Sequence, residues 1–149
     1  MTETAWGVSL FVVNRALEQR AYDAVVAAGI ADITLAQSRV LARVGPGGTR
    51  IGELAEAARV AKQTATHLVG ELAANGYVSL APDPRDRRAR LVTLTAKALD
   101  VVPIANAEVA RVEAEWREHL GAARFEQWCA SLGALRDLVD PFDRAPTRR

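Results

Sequence analysis

The sequence predicts a mainly α-helical fold with a small β-hairpin. Three observations carry that expectation. Apolar residues recur at three- and four-residue spacing along most of the 149 residues. The period changes only between Tyr77 and Thr95, where β-branched and apolar residues flank a turn rich in Pro and Asp. Apolar stripes at both ends exceed what the middle of the chain can cover.

The first helix is expected over about residues 4–28, with Trp6, Leu10, Val13, Leu17 and Ala24 on one stripe. Gly29 suits its stop. Thr34-Leu-Ala-Gln37 reads as a capping box opening a second helix to about Val44. Gly45-Pro-Gly-Gly48 is a loop. A short helix, about Arg50 to Ala58, carries Ile51, Leu54, Ala55 and Ala58 on one side. A turn at Arg59-Val60 leads into a helix from about Lys62 to Asn75, ended by Gly76. Strands are expected at Tyr77–Ala81 and Arg90–Thr95. Thr95 can cap a long helix to about Leu120, with Leu99, Val102, Asn106, Val109, Glu113, Trp116 and Leu120 at heptad spacing. Pro103 should bend it or remove one hydrogen bond. The last helix, about Ala122 to Val139, places Phe125, Trp128, Leu132, Leu135 and Val139 on one stripe.

Helix, helix, helix, hairpin in the middle of the chain is the order of a winged helix-turn-helix. The expected organisation is a winged helix-turn-helix domain over 31–95, a helical dimerisation region from 1–30 and 96–140, and a flexible tail over 141–149. Leu10, Val13, Leu17, Trp116, Leu120, Phe125, Trp128, Leu132 and Leu135 are the expected dimer contacts. Their stripes have nothing in this chain to cover them, so a second copy is the natural partner.

The net charge is only +1, but it is unevenly distributed. Residues 50–97 hold eight basic and five acidic side chains, and residues 98–149 hold seven and nine. Four arginines lie within the six residues from Arg85 to Arg90. A local basic patch is the electrostatic footprint of a nucleic-acid partner. The longest apolar runs are far too short to span a bilayer. The start of the chain has no signal-peptide pattern, so the expectation is a cytoplasmic protein without a membrane partner. The single cysteine, Cys129, excludes an internal disulfide and is expected as a buried structural thiol. The only histidines, His67 and His119, share no metal-ligand spacing with Cys or carboxylates. No nucleophile set, phosphate loop or carboxylate pair is present, so neither an enzyme nor a cofactor is expected.

The helix beginning at Lys62 has two faces. At about 100° per residue, Ala65, Leu68, Val69 and Leu72 cluster on one side, and Lys62, Gln63, Thr66, His67 and Gly70 on the other. The polar set suits a major-groove reader: Gln can pair with adenine, Lys with guanine, and Thr can use its methyl or hydroxyl. At the hairpin tip, Arg85, Arg87, Arg88 or Arg90 can enter a narrow minor groove. Asp86 is placed to pair with Arg88 and orient its guanidinium.

Several motifs resemble one family. Asp86, Arg88, Val92, Leu94 and Thr95 match the wing signature of MarR regulators, the multiple antibiotic resistance regulator family. Ile51-Gly-Glu-Leu-Ala and Lys62-Gln-Thr-Ala-Thr-His-Leu-Val resemble its helix-turn-helix, and Thr34-Leu-Ala-Gln-Ser-Arg-Val-Leu its second helix. The resemblance implies an intertwined homodimer on a pseudo-palindromic operator on double-stranded DNA, acting as a repressor released by a small-molecule effector. It implies that Lys62, Gln63, Thr64, Thr66 and His67 face the major groove and that Arg88 enters the minor groove. It places an effector pocket near the first, second and fifth helices, with Trp6, Phe11 and Arg15 as candidates. Three positions depart from the family: Ala61 where a small polar cap is usual, Arg59 where Gly is frequent, and Ala98 where Gly follows Leu-Thr. The competing expectation is a winged-helix protein-interaction module without specific DNA binding.

Overall fold

A computed structural model describes residues 5–139. The elements are α1 (Trp6–Ala27), α2 (Leu35–Leu41), β1 (Thr49–Arg50), α3 (Ile51–Ala58), α4 (Lys62–Ala74), β2 (Val78–Asp83), β3 (Asp86–Leu94), α5 (Ala96–Leu120) and α6 (Ala122–Val139). The expected tail over 141–149 lies outside the described residues. The helices fall where the periodicity places them, to within a few residues. The Thr34–Gln37 capping box is present in both directions. The α2 helix stops at Leu41 rather than Val44, because Arg43 and Val44 turn back onto the carbonyls of Val40 and Leu41.

The chain separates into two compact units, one up to Val109 and one from Ala110 onward. In the first, Leu54, Leu68, Val69, Leu72, Tyr77, Val78 and Val92 form one buried cluster with Ile33, Val40, Val44 and Ala98. The α1 helix belongs to this unit but buries only Val25. The second unit holds the end of α5 and all of α6. There Trp128 packs against Trp116 and Phe125, each at 5.7 Å between ring centroids. Arg117 bridges to Glu126 at 2.8 Å and lies over the Phe125 ring.

The hairpin differs from expectation in two ways. A third strand, β1, pairs with β3, giving the antiparallel order β1-β3-β2. Two residues are too few to leave a periodic signal. The approach depends on Gly48, where a Cβ would stand 2.8 Å from side-chain atoms of Leu91 and Thr93, and whose φ is +84°. The strands also run further toward the tip, leaving only Pro84 and Arg85 between them. Pro82 is tolerated because β2 is an edge strand, where a missing N–H breaks no interior ladder. Pro103 does not interrupt α5, which continues through it as one element.

Two further expectations are corrected. Cys129 is exposed, not buried, because α6 buries only Phe125. Phe125, expected at a dimer interface, is itself buried against its own unit and offers little surface to a partner.

Candidate nucleic-acid interface

The α4 helix divides by burial as its sequence divides by polarity. Ala65, Leu68, Val69 and Leu72 are buried. Lys62, Gln63, Thr64, Thr66, His67 and Gly70 are exposed. Covering one face of a helix with the chain's own core leaves the opposite face available along its whole length. Thr66 is partly committed: its hydroxyl donates to the Lys62 carbonyl at 2.8 Å, so it presents a methyl group and oxygen lone pairs.

The entry to α4 is unusual. Ala61 precedes it in an extended conformation and supplies no side-chain cap. Before it, Arg59 ends α3 at φ 55° and ψ 43°. It is the one non-glycine residue with positive φ among the described residues. The turn closes by hydrogen bonds from the Arg59 and Val60 N–H groups to the Glu56 and Ala55 carbonyls.

The wing is braced from inside. Asp83 is fully buried at the end of β2. One of its oxygens accepts from the Arg85 N–H at 2.8 Å, and the other from Arg50 Nε at 2.7 Å. The Arg85 hydrogen bond, followed by that from Arg50, holds the Asp83 carboxyl below the ordinary carboxylate range. The same pairing raises Arg50 above its ordinary value. This ties the hairpin turn to the start of α3. The expected pairing of Asp86 with the Arg88 side chain is not what forms: Asp86 Oδ1 accepts from the Arg88 backbone N–H at 3.0 Å. An aspartate two residues before an N–H reaches it locally and closes an Asx-type turn. The guanidinium of Arg88 therefore projects without help from Asp86. Arg85, Asp86, Arg87, Arg88 and Arg90 are all exposed. The ladder breaks here: Pro82 pairs with Arg90 and Asp83 with Asp86, so Arg87, Arg88 and Ala89 have no partner on β2.

A second polar cluster lies beyond the C-terminus of α4. Asp32 accepts from the Tyr77 hydroxyl and from Lys97 Nζ. Lys97 also donates to the Asn75 carbonyl at 2.8 Å and sits over the Tyr77 ring. The Tyr77 hydrogen bond, then Lys97, lowers the Asp32 carboxyl from its usual value. Burial, then Asp32, raises the Tyr77 phenol. The Asp32 hydrogen bond raises the Lys97 ammonium. No sequence motif marks Asp32, Tyr77 and Lys97 as a set, because the three lie far apart along the chain.

A cavity of about 470 Å³ opens between α1, α2 and the start of α5. Its walls include Tyr22, Ile33, Leu99 and Val102, with Glu18 and Arg39 among the few charged groups. Glu18 and Arg39 are paired at 2.9 Å. Trp6, Phe11 and Arg15 do not line it, being further toward the start of α1. Trp6 and Phe11 are 81% and 62% exposed, and the Arg15 guanidinium lies over the Phe11 ring. Of the expected dimer contacts, Leu10, Leu120 and Leu135 are exposed, and Val13, Leu17, Trp116, Trp128 and Leu132 are half-buried. Among the described residues no group of three His, Cys, Asp or Glu could hold a metal ion. No described helix is long and apolar enough to cross a membrane.

Comparisons with known proteins converge on this architecture. Residues 31–89 match the sequence model of the MarR family. The transcriptional activatory protein BadR of Rhodopseudomonas palustris is 32% identical over 97 residues, which are 65% of this chain and 54% of BadR. This chain thus spans about half the length of that curated relative. The transcriptional regulator Tm0710 of Thermotoga maritima superposes with a TM-score of 0.64 at 26% identity, covering 91% of this chain and 96% of its own. NadR, solved with 4-hydroxyphenylacetate, shares the fold with a TM-score of 0.70 at 20% identity, covering 91% of this chain and 94% of its own. BadR and Tm0710 are both named as transcriptional proteins.

Proposed function

We propose that this chain, whose residues 31–89 match the sequence model of the MarR family, is a winged-helix regulator of that family: a sequence-specific DNA-binding repressor acting as a homodimer on a pseudo-palindromic operator. The observation that carries the reading is the division of α4. Its apolar face is buried in the chain's own core, and its exposed face carries donors and acceptors suited to base edges. The α4 helix enters the major groove with Lys62, Gln63, Thr64, Thr66 and His67. Arg88 reaches the minor groove from the wing, supported by Arg85, Arg87 and Arg90 on phosphates. The exposed apolar residues of α1 and α6 are covered by the second copy. Two α4 helices must then meet successive major grooves, about one helical turn apart.

The cavity between α1, α2 and α5 is the proposed effector site. Its walls belong to the same compact unit as α4, so a ligand that distorts it can alter the posture of the reading helix. NadR, which shares the fold, was solved with an aromatic acid.

Selection of bound duplexes from a random pool tests the DNA reading. The expected product is a palindromic motif with half-sites about 10 base pairs apart. Affinity for it should fall steeply with salt as counterions are released. Arg88→Ala should weaken binding about tenfold while leaving the light-scattering mass unchanged. Salt-independent binding would favour a protein-interaction module instead. The sign of regulation is read from a reporter carrying the selected site across its promoter. Loss of this protein should raise expression; a fall would make it an activator, as BadR is by name.

A further inference from the structure

We propose that Glu71 is a positioning residue that sets which ring nitrogen His67 presents to a base, and that buried Gln37 holds Glu71 in place. The proposal rests on α4 being the DNA-reading helix.

The chain of constraint begins at the capping box of α2. The Gln37 amide oxygen accepts from the Thr34 N–H at 2.9 Å. That bond fixes which end of the amide is oxygen, so its nitrogen must point the other way. The nitrogen donates to Glu71 Oε2 at 2.8 Å, across from α2 to α4. Gln37 is only 4% exposed, so this anchor is rigid compared with a surface contact. The remaining oxygen, Glu71 Oε1, lies 3.3 Å from His67 Nε2, one helical turn back along α4. A carboxylate has only acceptors, so a ring nitrogen facing it is favoured in its N–H form. With the hydrogen on Nε2, Nδ1 is the nitrogen left to meet a base. The His67 side chain is 72% exposed.

This geometry gives His67 a defined chemical identity. A neutral ring held this way offers Nδ1 as an acceptor, suited to the exocyclic amine of adenine or cytosine. A protonated ring offers Nδ1 as a donor, suited to guanine N7. In both forms the reading atom is the same. Without Glu71 the ring is free to rotate and to present either nitrogen, and its contact with a base loses definition. Glutamine cannot replace Glu71 in this role. Both Glu71 oxygens face donors, whereas one end of a glutamine amide is itself a donor.

The test is a double-mutant cycle on base discrimination. The wild-type protein, His67→Ala, Glu71→Ala and the double variant are assayed against the selected duplex and its single-base variants. Expected are losses of about five- to tenfold in discrimination at one symmetric base pair for His67→Ala, the same position affected by Glu71→Ala, and no further loss in the double variant. Glu71→Gln, which keeps size and shape, should reproduce the loss of discrimination with the melting temperature retained, so a folding defect in Glu71→Ala would not obscure the result. Multiplying effects, effects at different base pairs, or unchanged discrimination in Glu71→Gln would overturn the proposal while leaving DNA reading intact. A wild-type protein that enriches no motif would overturn both.

Discussion

The α4 and α6 helices look alike in sequence and are used in opposite ways. Each carries an apolar stripe at helical spacing. The α4 helix buries Ala65, Leu68, Val69 and Leu72 within its own chain, leaving a polar face outside. The α6 helix buries only Phe125 and leaves Leu135, Leu138 and Val139 at 53%, 79% and 70% exposure. An open polar face on a helix whose other side is packed is stable in water and free to meet a partner through hydrogen bonds. An open apolar face calls for one that removes it from water. In the proposed function the two open faces take different partners, DNA at α4 and a second copy of the chain at α6.

The sharpest way to break the comparison is at the buried face. Leu72 is fully buried in the core cluster. Leu72→Ala should cost about 2–5 kcal/mol in unfolding free energy, since it removes buried methyl groups and leaves a cavity. Chemical denaturation measures it. A loss below about 1 kcal/mol would mean that α4 is not anchored as described.

At the open face the effect should be on assembly. Leu135→Glu places a charge where α6 presents apolar surface, and an unpaired charge does not survive burial between two copies. Light scattering should show a shift from dimer to monomer, with helical content maintained in circular dichroism. A dimer of unchanged stability would mean that this face is not the interface.

Much of this contrast is legible in the sequence, and the reasons differ by region. The faces of α4 follow from the helical repeat alone, and the Thr34–Gln37 cap from a spacing of three residues. The brace beneath the wing is not legible. Arg50 and Asp83 are separated by 33 positions, and nothing local marks them as partners. The local spacing of Asp86 and Arg88 points to the right residue but the wrong group, since the backbone N–H and not the guanidinium is bound. The apolar stripes of α1 and α6 are visible, but periodicity does not say which of their residues the chain will cover itself. That is why Phe125 and Cys129 each lie on the opposite side from the one expected. The start of α1 carries the aromatic residues that suggest a pocket, while the cavity's walls depend on how α2 and α5 converge further along the helix.

The brace can be tested through pH. Asp83 has its folded value lowered by Arg85 and Arg50. Its contribution is therefore fully present above the unfolded aspartate value, about 3.9. As pH falls below that, the unfolded chain takes up a proton that the folded chain refuses, and stability drops until the folded value is passed. Asp32, also lowered, adds to the same slope. Asp83→Asn should make the acid-side decline shallower without abolishing it, because Asp32 remains. Urea titrations from pH 6 down to about pH 2.5 measure the slope. An unchanged slope would mean that the carboxylate is not held by Arg50 and Arg85. At neutral pH the variant should also bind the operator more weakly, since the wing loses its tie to α3.

The smallest expected change separates conformation from DNA contact at the turn into α4. Arg59 adopts a left-handed backbone that costs a non-glycine residue about 1 kcal/mol. Arg59→Gly removes that cost but adds freedom to the unfolded chain, worth about 0.5–1 kcal/mol against folding. The two nearly cancel, so unfolding free energy should move by less than about 0.5 kcal/mol. Binding should respond differently. If the exposed Arg59 guanidinium touches a phosphate, removing it lowers the slope of log affinity against log salt by about 1 for each phosphate no longer neutralised, uniformly across DNA sequences. Unchanged stability with a reduced salt slope would place Arg59 on the open, DNA-facing side of the molecule, with the polar face of α4. Unchanged stability with an unchanged slope would confine it to the turn. A loss of stability beyond about 1 kcal/mol would show that the arginine side chain holds the turn through packing, and that the left-handed conformation is sustained by more than local backbone preference.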